Sequence, residues 1–485
     1  MYFNSVTYML CFLPIVLVVY FSLNKNKLII GSKVWLVFAS IVFYGWWNVA
    51  YVPLLLAIVF GNYIAFLFIK KYQSSPGALF GVDKAKLALI LGISVNILIL
   101  GYFKYTDFFF ETLNSLFKSN LPILKIILPL AISFHTFQQI AFLVDSYRDK
   151  DLKYGFLDYC LFIMFFPQLI VGPIVHHSEV IPQFQNLRKK VLNYRNLIIG
   201  LIMFIIGFYK KTIIVEPLSQ SVGQSIHLLG GLSFFESWMF LWVEFFHAYL
   251  DFSSYMDMAL GTAIMFNITL PINFNSPLQA PNLVEFWKRW HITLTRFLRE
   301  YVYFSMGGSK KGESKTNRNI ILTFLLGGLW HGAYWGAILW GTIHGIGLVV
   351  YRYWRKLNIK MPNFLAVIIT CTFVGTLGLL IRIHSLSDIL YLFKTLYSFD
   401  NIVIPTVSHG ALVFKTSTAT HTWDIFPLVI VVVGLALTFM KKSIEAIDLV
   451  KHFKPSLAYI TLLALSIIGI IYIYNPPQGF LYYQF

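Results

Sequence analysis

Long apolar stretches, separated by short polar and basic connections, dominate the chain. They fall at about residues 6–23, 33–49, 51–69, 87–103, 121–144, 156–175, 197–214, 234–250, 256–272, 319–350, 364–383, 425–440 and 457–474. Most approach the roughly 20 residues that a helix needs to cross a bilayer core. The pattern predicts an all-α polytopic membrane protein of roughly 11–13 transmembrane helices. Two features predict departures from a plain bundle. Phe166-Pro167 to Gly172-Pro173 interrupts an apolar run, so helix must break there and the backbone becomes a re-entrant segment facing a cavity. From Glu285 to Tyr303 the period is helical but two-faced. Trp287, Trp290, His291, Leu294, Phe297, Leu298 and Tyr301 gather on one side and Arg289, Arg296 and Arg299 on the other, as on an interfacial amphipathic helix.

Composition sharpens this picture. Of 485 residues, 58% are apolar and 12% charged, about half the charged fraction of a soluble protein, so large soluble domains are excluded. The formal charge of +17 reads as cytoplasmic loops under the positive-inside rule rather than as a nucleic-acid surface. The cytoplasmic candidates are Lys25, Lys27 and Lys33, Lys70-Lys71, Arg188 to Lys190, Lys288 to Arg318, Arg352 to Lys360, and Lys441-Lys442. Cys11, Cys160 and Cys371 sit apart in apolar runs and predict neither disulfides nor a thiolate metal site. The opening stretch lacks a basic leader and a small-residue cleavage signal, so it reads as a retained first span. No fixed-period repeat or low-complexity linker is visible, which predicts one membrane-embedded domain over residues 1–485.

Ionisable groups inside apolar runs are costly and mark functional positions. His331 is the sharpest, in Gly327-Gly328-Leu329-Trp330-His331-Gly332-Ala333, where small residues allow close approach and Trp330 can wall a pocket. A neutral imidazole is the usual general base near neutral pH. Burial against one carbonyl is the plain alternative. His344 lies 13 residues on, about 220° around a continuous helix, and reads as a supporting group. His247, Asp251 and Ser254 are spaced i, i+4, i+7, which suits a proton relay or, equally, helix-to-helix hydrogen bonding. Gln138, Gln139 and Asp145 form a weaker group of the same kind. A phosphate loop is excluded because Ala333 and Tyr334 stand where Lys and Ser or Thr would be needed. With no HExxH, no GxSxG and scattered histidines, neither a metal nor a covalent serine is expected.

Glu285-Phe286-Trp287-Lys288-Arg289-Trp290-His291-Ile292-Thr293-Leu294, Tyr301 to Gly308, Gly327 to Ala333, and Trp340-Gly341 to His344-Gly345 together resemble the membrane-bound O-acyltransferase (MBOAT) superfamily. Asp251 to Ala259, Asn273-Phe274-Asn275-Ser276-Pro277, Ser133 to Arg148 and Phe166 to Ile174 resemble its bacterial branch, typified by the alginate O-acetylation membrane protein. Two departures are His135 in place of an aromatic and His176-His177 where a basic residue is commoner.

The resemblance implies a helical fold around a central tunnel, with a catalytic core at about 130–345, in the bacterial cytoplasmic (inner) membrane. It makes His331 the catalytic histidine and His291 the second signature position. Trp287, Trp290, Trp330, Asp251 and Ser254 are tunnel candidates, and Lys288, Arg289 and Arg296 candidates for attracting an anionic donor. The expected donor is acetyl-CoA, a substrate rather than a bound cofactor. The expected acceptor is an exopolysaccharide such as alginate, reached through an extracytoplasmic acetyltransferase partner. Peptidoglycan O-acetylation and D-alanyl transfer to teichoic acid are the alternatives. An ion- or proton-coupled transporter, using His247, Asp251 and the break at Pro173, is the alternative of another class.

Overall fold

A computed structural model describes residues 1–438, apart from 76, 80, 227, 228, 384, 400, 409 and 416–419. The apolar run at 457–474 and Lys441-Lys442 lie outside the described residues. Among the described residues, Thr7–Lys25, Val49–Ser74, Lys84–Phe117, Tyr194–Gly223 and Asn363–Arg382 are long and apolar enough to cross a membrane, and Ile29–Gly45 is apolar but shorter. The protein is a polytopic, largely helical membrane protein. The described residues divide into two units, one of residues 1–205 and 255–272, the other of residues 206–254 and 273–438.

In the first unit the core is aromatic. Phe3, Tyr8, Phe43 and Phe166 are fully buried, with ring centroids 4.9 Å apart for Phe3–Tyr8 and 5.6 Å for Phe43–Phe166. The expected break arrives where predicted: the helix Phe156–Met164 stops, one turn forms at Phe166–Leu169, and no further helix begins until His177. Its freed backbone groups find side chains. Phe166 N–H donates to Ser40 Oγ at 3.1 Å, Val171 N–H to the Tyr255 hydroxyl at 3.3 Å, Gln168 Nε2 to Phe162 C=O at 2.5 Å, and a His135 ring nitrogen lies 2.7 Å from Leu169 C=O. This accounts for His135: an imidazole reaches a carbonyl that a plain aromatic would leave bare. Gly172 is required here, because a Cβ would meet Gln168 Cα at 2.2 Å.

Four runs fold differently from their hydropathy. Within 121–144 helix begins only at Ile132, because Pro122 and Pro129 withhold amides and Asp107 binds the N–H groups of Leu124 and Ile126 at 2.8 and 2.9 Å around a left-handed Lys125. The runs at 234–250 and 256–272 share one helix, Phe234–Met265, since no Gly or Pro lies at the junction between them. The run at 319–350 becomes two helices, Glu313–His331 and Trp335–Trp354.

In the second unit those two helices meet backbone to backbone: a Cβ on Gly328 would lie 2.2 Å from Ala337 O, and one on Gly341 2.2 Å from Phe324 O. A three-stranded antiparallel sheet, 406–408, 411–415 and 420–424, is tied to the start of Phe234–Met265 by one fully buried carboxylate. Glu236 accepts from Ser233 N–H (2.9 Å) and Oγ (2.7 Å), and from Trp423 Nε1 (3.1 Å), with His421 Nδ1 at 2.9 Å. Glu236→Ala strips the partner from these buried donors, at about 1–3 kcal/mol for each. In detergent the sheet should loosen first, giving faster tryptic cleavage at the exposed Lys415 than in wild type; an unchanged rate would show that the carboxylate does not hold it.

Candidate active site

The site lies in the second unit and begins with two breaks in helix. Asn282 caps the short helix Leu283–Trp287, accepting from Glu285 N–H at 2.9 Å. The expected amphipathic helix then breaks at His291, whose φ of 43° and ψ of 52° are left-handed, and resumes at Ile292–Phe297. Its buried face survives the break, with Trp287, His291, Leu294, Phe297 and Leu298 all buried. The cause is tertiary. Asn273 C=O accepts from Ile292 N–H at 3.0 Å, its Oδ1 accepts from Thr293 N–H and Oγ1 at 3.1 and 2.8 Å, and Asn275 N–H donates to Arg289 C=O at 3.0 Å. Residues 273–275 therefore clamp the turn that aims His291. A left-handed residue with a Cβ costs roughly 1–2 kcal/mol, a strain that persists only where surroundings enforce it.

The second break places His331. It is the last residue of its helix, stopped by Gly332, where a Cβ would meet the Tyr334 ring at 2.1 Å. Tyr334 is in turn held by its hydroxyl bond to Ile381 C=O at 2.6 Å. His291 and His331, fully and almost fully buried, come within 6.4 Å between ring centroids. Trp330 touches both, at 5.7 Å and 4.9 Å, and Phe252 closes the far side of His291 at 4.9 Å. Two buried imidazoles this close supply a proton acceptor and a second polar group within reach of one reacting centre.

His331 opens onto a cavity of about 430 Å³, lined by Trp287 and Trp340 and by Lys288, Arg299, Arg352 and Arg355. Among the described residues no carboxylate lines it. The neighbouring acids sit behind the cations: Lys288 donates to Glu285 at 2.8 Å, holding that carboxyl below its ordinary value, and Arg352 lies 3.7 Å from Glu313. Of the basic residues expected to attract a donor, Lys288 lines the cavity. Arg289 and Arg296 do not; Arg289 lies 3.7 Å from Glu285 instead. Arg352 and Arg355 were not legible as site residues, because they sit on a later helix whose return to this cavity no spacing reveals.

The expected polar face at 247–254 separates. Asp251 is paired with Lys211 at 2.7 Å, both wholly buried, while His247 Nδ1 lies 3.4 Å from Glu244, which faces Arg382 at 3.3 Å. Ser254 Oγ bonds Asp251 C=O at 2.7 Å. Neither Asp251 nor Ser254 lines the cavity, nor do Trp290 and Trp330. Trp290 stacks on Phe286 at 5.5 Å. In the first unit, Asp145, His176 and His177 bring three ligand-type atoms within 4.8 Å. Asp145 Oδ2 lies 3.2 and 3.4 Å from the two Nε2 atoms, His177 Nδ1 is 3.3 Å from the Tyr154 hydroxyl, and His176 caps the helix His177–Gln185 in a box with Glu179. Two imidazoles here face a carboxylate as a single basic side chain would.

Residues 146–385 match the model of the MBOAT, membrane-bound O-acyltransferase family, a span that holds both His291 and His331. The chain is 42% identical to the peptidoglycan O-acetyltransferase of Helicobacter pylori over 444 residues, covering 85% of this chain and 82% of that one. It is 34% identical over 357 residues to the probable alginate O-acetylase AlgI of Pseudomonas putida, 73% and 71% of the two chains. It is 29% identical over 262 residues to the teichoic acid D-alanyltransferase of Bacillus subtilis, 50% and 66% of the two.

The left-handed turn gives a prediction that separates fold from chemistry. His291→Gly relieves the strain, so in detergent it should be more stable than His291→Ala by about 1 kcal/mol, read from denaturant midpoints. Equal stabilities would show that the turn is not strained.

Proposed function

The chain belongs to the membrane-bound O-acyltransferase family, and on that premise we propose that it moves acetyl groups from cytoplasmic acetyl-CoA toward hydroxyls of peptidoglycan outside the membrane. The observation that carries the donor reading is the cavity, which joins four cations to His331 along an apolar wall. An acyl-CoA is built the same way, with anionic phosphates at one end and a thioester at the end of a slender arm. Lys288, Arg299, Arg352 and Arg355 attract the phosphates, and the arm runs toward Trp287 and Trp340.

His331 takes the proton of the attacking hydroxyl as its oxygen bonds to the acyl carbon, the C–S bond breaks, and the thiolate leaves to be protonated. His291, held by the Asn273 clamp, orients the donor or stabilises the charge developing on the carbonyl oxygen. A partner outside the membrane completes transfer to the polymer.

Peptidoglycan is favoured as acceptor by the 42% identity extending over 85% of the chain. The second reading, an exopolysaccharide of the alginate type, is supported by the 34% relatives. The two are separated by measuring ester-linked acetate on purified peptidoglycan and on secreted polysaccharide, in a deletion strain complemented with wild type or His331→Ala. We expect muropeptide acetate to vanish on deletion and to return with wild type only, at equal membrane abundance of both proteins. Acetate lost from the polysaccharide alone moves the acceptor to the second reading. Acetylation restored by His331→Ala removes His331 from the chemistry.

A further inference from the structure

Residues 340, 348, 351 and 352 line the cavity from one side of the helix Trp335–Trp354, with Arg355 just past its end. At i+4 from Trp340 and i−4 from Leu348, His344 belongs to the same side, yet it is absent from the lining. Its ring is fully buried under Trp340 at 4.8 Å, Trp287 at 5.1 Å and Phe324 at 6.5 Å, all three of which do line the cavity. One layer of rings thus parts it from the space beside His331. Among the described residues, neither Nδ1 nor Nε2 of His344 has a hydrogen-bond partner, and the same holds for Nε1 of Trp287. Native proteins keep few such buried polar atoms, and each asks for an occupant. Two orphans in ring contact, one on the wall of the cavity and one directly behind it, ask for a shared one. It must accept hydrogen bonds, because an indole nitrogen can only donate.

We propose that His344 and Trp287 form a recessed polar subsite of this cavity that takes one carbonyl oxygen of the acyl donor's arm. A carbonyl oxygen has two lone pairs, and the indole Nε1–H and one imidazole N–H donate to them as the Trp287 ring shifts on binding. Trp340 stands between His331 and His344, with centroids 5.0 and 4.8 Å away, so the subsite holds an amide carbonyl of the arm while the thioester lies at His331. His344 is therefore a positioning residue. This rests on the donor reading above.

The test is the dissociation constant of CoA for the full chain in detergent, by calorimetry, for wild type, H344F, H344Q and W287F. Phe keeps the aromatic packing and removes the donor; Gln keeps a donor and loses the ring. Loss of one hydrogen bond predicts about tenfold weaker binding for H344F and for W287F, with H344Q recovering most of the affinity. In acetyl transfer the same variants should raise KM for the donor with little change in kcat. The reverse order, H344F binding as wild type and H344Q failing, assigns His344 to packing and overturns the proposal. Wild-type affinity in W287F also overturns it, and this arm stands even where an His344 variant does not fold. Wild type that binds no CoA instead overturns the donor reading, and the subsite with it.

Discussion

A backbone amide or carbonyl inside the bilayer must find a partner within the protein, and that constraint shapes the parts of this chain that are not helix. Where Phe166–Leu169 breaks off, the partners are Ser40, His135, Gln168 and Tyr255, drawn from separate elements of the first unit. Where the chain turns at His291, the partner is Asn273. Irregular backbone is therefore fixed as firmly as helix, which suits a reacting geometry that tolerates little error. The catalytic candidates sit beside such breaks rather than in mid-helix, one in a left-handed turn and one at a helix end.

The helical membrane fold was legible because hydropathy acts locally. Ile29–Gly45, Val52–Ser74 and Asn363–Arg382 appear close to where apolar runs place them. His331 and the buried face of 287–298 were likewise visible, from small neighbours in one case and periodicity in the other. The break within that face was not, because the period of 3.6 continues across His291 while the cause lies 18 residues earlier at Asn273. For the same reason Lys211 was not matched to Asp251, nor Arg352 and Arg355 to the cavity: pattern reports which face a residue occupies and is silent on what that face meets.

Charge is organised on two scales. Cations around the cavity, where no carboxylate among the described residues forms the lining, are open to screening by salt. Buried pairs act on shape. Glu236 joins a sheet to a helix start, and Lys211 joins the stretch after Tyr209 to the middle of Phe234–Met265. Removing one member of such a pair leaves the other stranded in a medium that cannot solvate it, so these positions tolerate exchange only as pairs.

The Lys211–Asp251 pair also bears on biogenesis. Each residue alone would oppose transfer of its segment from the translocon into lipid by about 2.5–3.5 kcal/mol on insertion scales. Together, each cancels much of the other's penalty. The two segments are separated by the polar stretch around Ser219 to Ser225 and the turn before Phe234, and Asp251 stands 40 positions after Lys211, so the cost of the first charge is offset only once the second segment is present. The energetic cost of placing either charge in lipid is thus a property of the two segments together and not of each alone.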